Sequence, residues 1–286
     1  MLDGSAVGLS VEQDFSYTWR DLILYNLSVG AKKEELEYVY EKNLKAVPTF
    51  GVIPCTATFG TEPFSEQPLM PTRKIEGLRT DGTLHMDHRL VVNGPIPTEG
   101  KLHLKKVITA VYDRGEGKGA KINVDVIAEN AAGDRVFTNT MGYLNRWSGG
   151  FGGPKVPESD IIIPDREADC KINDAYPETA PLLYRLTGDT YPLHADPAFA
   201  KKAGFDRPIV HGLCSLGYAC RMMIEALFPG EPERMLSIEN QFRAVALPGE
   251  RFTLHVWRTG KKQAVFRMVK DSDGKAILDH GRMIWR

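Results

Sequence analysis

The stretch Tyr184-Arg185-Leu186-Thr187-Gly188-Asp189-Thr190-Tyr191-Pro192-Leu193-His194-Ala195-Asp196-Pro197 holds the densest set of unusual residues in the chain. An acid and an imidazole stand five positions apart, with a proline between them. Gly188 permits backbone angles that other residues resist. Pro192 fixes one dihedral and removes a donor. The segment reads as a shaped loop rather than a regular helix, able to aim Asp189 and His194 at a common point. A carboxylate and a histidine so placed can share acid and base duties, each contributing about 10²–10⁴-fold to a rate. The spacing alone also fits an Asp that caps a backbone amide and a His satisfied in the core.

Downstream, Arg207-Pro208-Ile209-Val210-His211-Gly212-Leu213 leads into an apolar helix over 211–227, with Leu213, Leu216, Cys220, Met223 and Leu227 along one face. A helix start offers free amide N–H groups and a partial positive charge. Aimed at a carbonyl oxygen that gains charge, one such donor is worth about 10²–10³-fold in rate. Gly212 either admits a ligand close to the backbone or eases helix–sheet packing. His211 reads as an orienting or structural histidine. Beyond the helix, strands are expected over 251–258, 263–270 and 277–285, with a turn at Asp271-Ser272-Asp273-Gly274.

The first half repeats this plan. Thr18 and Asp21 make a capping-box start for a helix that Gly30 can stop. Strands are expected over 102–111, 121–126 and 136–144. Pro97-Thr98-Glu99-Gly100 before one strand resembles Pro248-Gly249-Glu250 before another. Between the halves, glycines and prolines crowd a connection in which Phe151 and the Ile161-Ile162-Ile163 run suggest packing on something. The reading is a duplicated α+β unit in which antiparallel sheets each wrap a helix. The first repeat spans 1–147, the connection 148–178 and the second repeat 179–286. His85 and His88, in Leu84-His85-Met86-Asp87-His88, match no zinc spacing and receive no role.

Charge and composition narrow the function. Lys plus Arg total 36 against 37 Asp plus Glu, a net charge of −1, which lacks the basic excess of a duplex nucleic-acid binder. The four cysteines, Cys55, Cys170, Cys214 and Cys220, show neither CxxC spacing nor matching histidines, so buried free thiols are expected and no metal site. No apolar run reaches membrane-span length. Residues 1–13 lack signal-peptide character and the last residues are not a Ser-Lys-Leu type address, so a cytoplasmic location is expected.

At Tyr184, Leu186, Thr187, Gly188, Asp189, Pro192, Leu193, His194 and Ala200, and again at Ala203 to Cys214, the sequence resembles the hydratase 2 group of the MaoC-like dehydratase family, the (R)-specific 2-enoyl-CoA hydratases. Val47-Pro48-Thr49-Phe50-Gly51 and Gly149-Gly150-Phe151-Gly152-Gly153 resemble parts of the family's N-terminal half, so the likeness covers nearly the whole chain. It implies a tandem hot-dog fold with one active site. Asp189 and His194 would hold the attacking water and the Gly212 amide would bind the thioester carbonyl. The N-terminal half would have lost its own pair and would house the acyl chain. It also implies a homodimer with no metal or redox cofactor, acting on acyl-CoA or acyl carrier protein, with no nucleic-acid or membrane partner. Lys201, Lys202 and Arg207 are candidates for the coenzyme A phosphates, or are simply solvated charges. One departure stands out: the family's Asn between Asp and Pro is Tyr191 here. Acyl-thioester hydrolysis and acyl-thioester binding without turnover are the other readings.

Overall fold

The structure, a computed structural model, describes residues 2–56 and 69–286. Its first half contains β1 (Ser10–Tyr17), β2 (Leu84–Val92), β3 (Gly100–Asp113), β4 (Ala120–Glu129) and β5 (Arg135–Asn145). Its second half contains β6 (Cys170–Ala175), β7 (Met235–Phe242), β8 (Arg251–Gly260), β9 (Gln263–Lys270) and β10 (Ala276–Trp285). The helices are α1 (Trp19–Ser28), α2 (Leu36–Val39), α3 (Ile53–Thr56), α4 (Ala180–Tyr184), α5 (Pro197–Lys202) and α6 (Gly212–Leu227).

Strand order exposes the duplication. One sheet runs β1-β3-β4-β5-β2-β7-β10-β9-β8-β6, so each half has the same internal order and the halves meet through β2 and β7. The pairing there is antiparallel, with Arg89 opposite Glu239. The expected tandem hot-dog is therefore present, with its two five-stranded sheets fused edge to edge. The strands follow from alternation: β4, Ala-Lys-Ile-Asn-Val-Asp-Val-Ile-Ala-Glu, buries every second residue.

Helix α6 is the centre of the second half. Leu213 to Ile224 are all buried, so its whole circumference is covered and not one face alone. The sheet covers one side and the first half covers the other. Arg221, 5% exposed, ties the helix to both halves. It donates to Glu35 (3.2 Å) and the Val29 carbonyl (3.2 Å) of the first half, and to Asp174 (3.0 Å) of the second. That triple contact leaves the buried guanidinium compensated.

The helix expected over 18–30 forms as α1 with its capping box in place. It is not, however, the first half's counterpart of α6. It packs beside α4 of the other half, with the Tyr25 and Tyr184 rings 6.1 Å apart. The position equivalent to α6 falls to the 3-10 turn Pro48–Val52 and α3. Within the expected connection, Cys170–Ala175 pairs with Arg251–Val256 as an edge strand. Before it, Ile161 packs on Trp257 and Val265, which explains the apolar run in the connection.

Gly217 lets α1 and α6 approach. A Cβ there would meet Val29 Cβ at 2.9 Å and Tyr25 Oη at 3.0 Å. Gly217→Ala is expected to destabilise the protein by about 1–3 kcal/mol. Urea denaturation reads this directly, and an unchanged midpoint would mean that the two helices separate without cost.

Candidate active site

The chain leaves α4 through a 3-10 turn, Arg185–Thr187, whose Thr187 hydroxyl donates to the Tyr184 carbonyl at 2.7 Å. Gly188 comes next at φ 142°, a conformation that L side chains rarely adopt. This turn delivers Asp189. A second 3-10 turn, Pro192–His194, delivers His194. Asp189 and His194 are both half-buried, accessible yet surrounded by protein.

His194 Nδ1 lies 2.8 Å from the Ile209 carbonyl. A carbonyl only accepts, so Nδ1 carries the proton and Nε2 of the neutral ring is bare. Beneath it lies His211, stacked at 3.6 Å and 24°. His211 Nε2 donates to the Asp189 backbone carbonyl at 3.1 Å, and its ring also meets Tyr184 at 4.8 Å. One fully buried imidazole thus ties the backbone of Asp189 to the ring plane of His194.

The electrostatics suit proton transfer. Burial pushes the Asp189 carboxyl above its ordinary 3.8, against the opposing pull of His194, the Tyr191 amide and Arg185. Burial pushes His194 below its ordinary 6.5, with Asp189 and the Ile209 carbonyl acting against the shift. His211 is held well below that value, first by burial and then by His194. The neutral imidazoles can therefore stack without repulsion.

Gly212 is the first residue of α6, and His211 before it is extended (φ −61°, ψ 136°). Its amide lies in the first turn, where helix N–H groups have no intrahelical acceptor. The Phe242 ring presses on it: a Cβ on Gly212 would lie 2.9 Å from Phe242 Cδ1. Of the residues singled out in the sequence, Asp189, His194, His211 and Gly212 converge. Tyr191 stands at the rim, 36% exposed, edge-on to Phe199 at 5.3 Å and 6.4 Å from the His194 ring. Lys201 and Lys202 are exposed at the end of α5. Arg207 donates to the Pro248 carbonyl at 3.0 Å and sits 4.0 Å from Glu178.

Sequence reasoning missed Arg185 and Phe242. Arg185 reaches the Thr190 carbonyl at 3.3 Å and sets charge beside both titrating groups. Its cue was its place inside the loop motif, whereas Phe242 had no local cue. Among the described residues, no group of three or more His, Cys, Asp or Glu could hold a metal.

Two measurements test this electrostatic picture. Because folding raises the Asp189 pKa, its ionised form costs stability at neutral pH, and that cost is relieved as pH falls. Asp189→Asn should therefore leave the melting temperature at pH 7 unchanged or higher, and a clear loss would contradict the assignment. A process that needs ionised Asp189 and neutral His194 should fall away on the acid side, at a pH above the ordinary 3.8 of the carboxyl because burial raises Asp189. A pH–rate profile of kcat/KM reports those free-enzyme groups, and a profile that stays flat down to pH 3.8 would place the essential base elsewhere.

Residues 15–146 match the profile of the MFE-2 hydratase 2 N-terminal domain, and residues 163–279 that of the MaoC like domain. Over 270 residues the chain is 32% identical to Enoyl-CoA hydratase ChsH3 of Mycobacterium tuberculosis, covering 93% of this chain and 92% of that protein. It is 34% identical over 278 residues to Probable enoyl-CoA hydratase 2 of Dictyostelium discoideum, covering 94% and 90%. Among solved structures, a MaoC-like dehydratase from Phytophthora capsici superposes with a TM-score of 0.84 at 27% identity, covering 98% and 96%. With relatives of this identity matched nearly end to end, the chain belongs to the MaoC-like hydratase 2 family.

Proposed function

We propose that this protein adds water across the double bond of a trans-2-enoyl-CoA to give the (3R)-3-hydroxyacyl-CoA, reversibly, with Asp189 and His194 as its catalytic pair. The observation that carries the reading is the orientation of His194: its Nδ1 proton is committed to the Ile209 carbonyl, so Nε2 is left bare on a ring that feels the Asp189 charge and stacks on His211, the residue before α6. Relatives named as enoyl-CoA hydratases support the same chemistry.

In this mechanism the two groups grip one water. The ionised carboxylate and the bare imidazole nitrogen each accept one of its hydrogens. One O–H bond breaks and its proton passes to the pair as oxygen bonds to C3. The C2=C3 π electrons move toward the thioester, whose oxygen takes up negative charge and is bound by the Gly212 amide and the positive end of α6. The proton then goes from the pair to C2, so water is consumed and nothing is released. No metal or redox group takes part. His211 orients the pair, and Tyr191 at the rim narrows the range of acyl groups. Coenzyme A fits Lys201, Lys202 and Arg207 as phosphate partners, and acyl carrier protein offers the same pantetheine arm. The first half, which lacks such a pair, accommodates the acyl chain. We further propose a cytoplasmic homodimer.

The direct test follows enoyl-thioester absorbance on mixing the protein with crotonyl-CoA and with a longer trans-2-enoyl-CoA, with chiral analysis of the product. Formation of the (3R)-alcohol is expected. Release of free coenzyme A would replace hydration by hydrolysis, and binding without turnover would leave a binding protein. Asp189→Asn is expected to lose about 10²–10⁴-fold in kcat. A finer comparison isolates the amide donor. Gly212→Ala and Gly212→Pro both crowd Phe242, but only proline removes the N–H, and His211 is already extended as a residue before proline must be. Relative to alanine, proline should cost about a further 10²–10³-fold in kcat. Equal rates would remove that amide from the mechanism.

A further inference from the structure

His85 and His88 have no part in the chemistry above, yet the fold takes trouble to place them. Both lie on β2, where a register shift between His85 and Asp87 marks a β-bulge at Met86. In a regular strand, residues three apart face opposite sides. The bulge turns His85 to the face of His88, and their rings meet with Nε2 and Nδ1 3.4 Å apart.

The hydrogen-bond order along this row is determined by its far end. Asn139 Nδ2 donates to the Gly51 carbonyl at 3.0 Å, so its Oδ1 faces His88 Nε2 at 2.8 Å. His88 Nε2 must then carry the proton. Burial pushes His88 down to about 4, so its ring is neutral and its Nδ1 is the acceptor for His85 Nε2–H. His85 is likewise held well below its ordinary value, because burial and the neighbouring His88 outweigh the Asp87 backbone hydrogen bond. Buried imidazoles tethered in sequence make a stiff support.

That support ends at the active site. The His85 ring is clamped between Tyr143 on one side and Phe242 on the other, each with centroids 4.8 Å away. Phe242 is the ring that presses on Gly212. Burial holds the Tyr143 hydroxyl above its ordinary pKa, with Cys55 and then Asp189 adding to the shift. His85 therefore touches the ring that presses on Gly212, and it comes from the opposite half of the chain.

We propose that His85 is a positioning residue for the reaction: a ring wedge, braced by His88 and Asn139, that holds Phe242 against Gly212 and so fixes the thioester-binding end of α6. This rests on the function proposed above, because it takes Gly212 to be the thioester-binding residue. It also gives the first half a share in the site that the Asp and His do not.

Steady-state kinetics on purified variants with an enoyl-CoA test it. His85→Ala should lower kcat by about 10–100-fold, as small misplacements at reacting centres do, with a smaller change in KM. Phe242→Ala should lower it comparably. The double variant should be little worse than either single, since both remove the same contact. His85→Phe restores a ring between Tyr143 and Phe242 but not the hydrogen bond to His88, so it should recover part of the kcat lost in His85→Ala, because packing of the wedge contributes to positioning Phe242. Wild-type kcat in a folded His85→Ala protein, multiplicative losses in the double variant, or no recovery with His85→Phe would each overturn the proposal. If the wild-type protein turns over no enoyl thioester, it is the hydratase reading that fails. The His85 proposal is then read from the same four proteins by the dissociation constant for a saturated acyl-CoA, with the same non-additivity and the same recovery expected.

Discussion

Five residue pairs between β2 and β7, from Asp87 opposite Gln241 to Val91 opposite Ser237, join two sheets that would otherwise each present an open edge. Much of the architecture depends on that seam. It buries Leu90 and Ile238 at the centre of one core that runs through both halves. It sets α6 between its own sheet and the first half, which is why that helix is apolar all round and why its one buried cation needs Glu35 and Asp174. It also brings the end of β2 beside the end of β7, so that His85 and Phe242 touch. A slip of one residue would flip every inward side chain on β2 to the other face.

The site on this frame is costly to hold together. Asp189, His194 and His211 are three titratable groups shifted against charge by burial. A fold optimised for stability alone would replace them with apolar residues of like volume. They are accommodated because each has one fixed hydrogen bond: Asp189 Oδ1 accepts from the Tyr191 amide (3.3 Å), His194 donates to Ile209, and His211 donates to the Asp189 carbonyl. The loop between Gly188 and His194 is therefore held through hydrogen bonds to backbone groups. Tyr191, where the family has Asn, sits at its rim.

Much of this was legible in the sequence, and the exceptions have physical reasons. Six strands were visible because their apolar residues alternate or run long. β1, Ser-Val-Glu-Gln-Asp-Phe-Ser-Tyr, was not, because as an edge strand it keeps most of its residues toward solvent. β2 was obscured by its bulge, which breaks the period that would have revealed it. α1 was found and correctly capped, but its partner was not. Nothing local says that a helix will pack on the opposite half's α4 and leave the sheet to a 3-10 turn. Likewise Asp189 and His194 were conspicuous as a loop motif, whereas Phe242 and His85 meet each other across more than a hundred residues of sequence.

The two halves also explain each other's chemistry. At the end of α1 the chain reads Tyr25-Asn26-Leu27-Ser28, and at the end of α4 it reads Tyr184-Arg185-Leu186-Thr187. Ser28 and Thr187 each donate to the carbonyl three residues back, both at 2.7 Å. The frame is thus kept, but the next residues differ: Gly188-Asp189 in one half, Val29-Gly30-Ala31 in the other. The same divergence recurs at the central segments. His211 and Val47 are N-caps of nearly equal conformation, at φ −61°, ψ 136° and φ −65°, ψ 118°. The next residue is Gly212 in the second half, with a free amide, and Pro48 in the first, with none. The first half therefore lacks at matching places both a carboxylate and the amide donor. Under the proposed mechanism, either difference alone would weaken such a site by orders of magnitude. On the function proposed above, their joint absence leaves that half without a second site of the same kind.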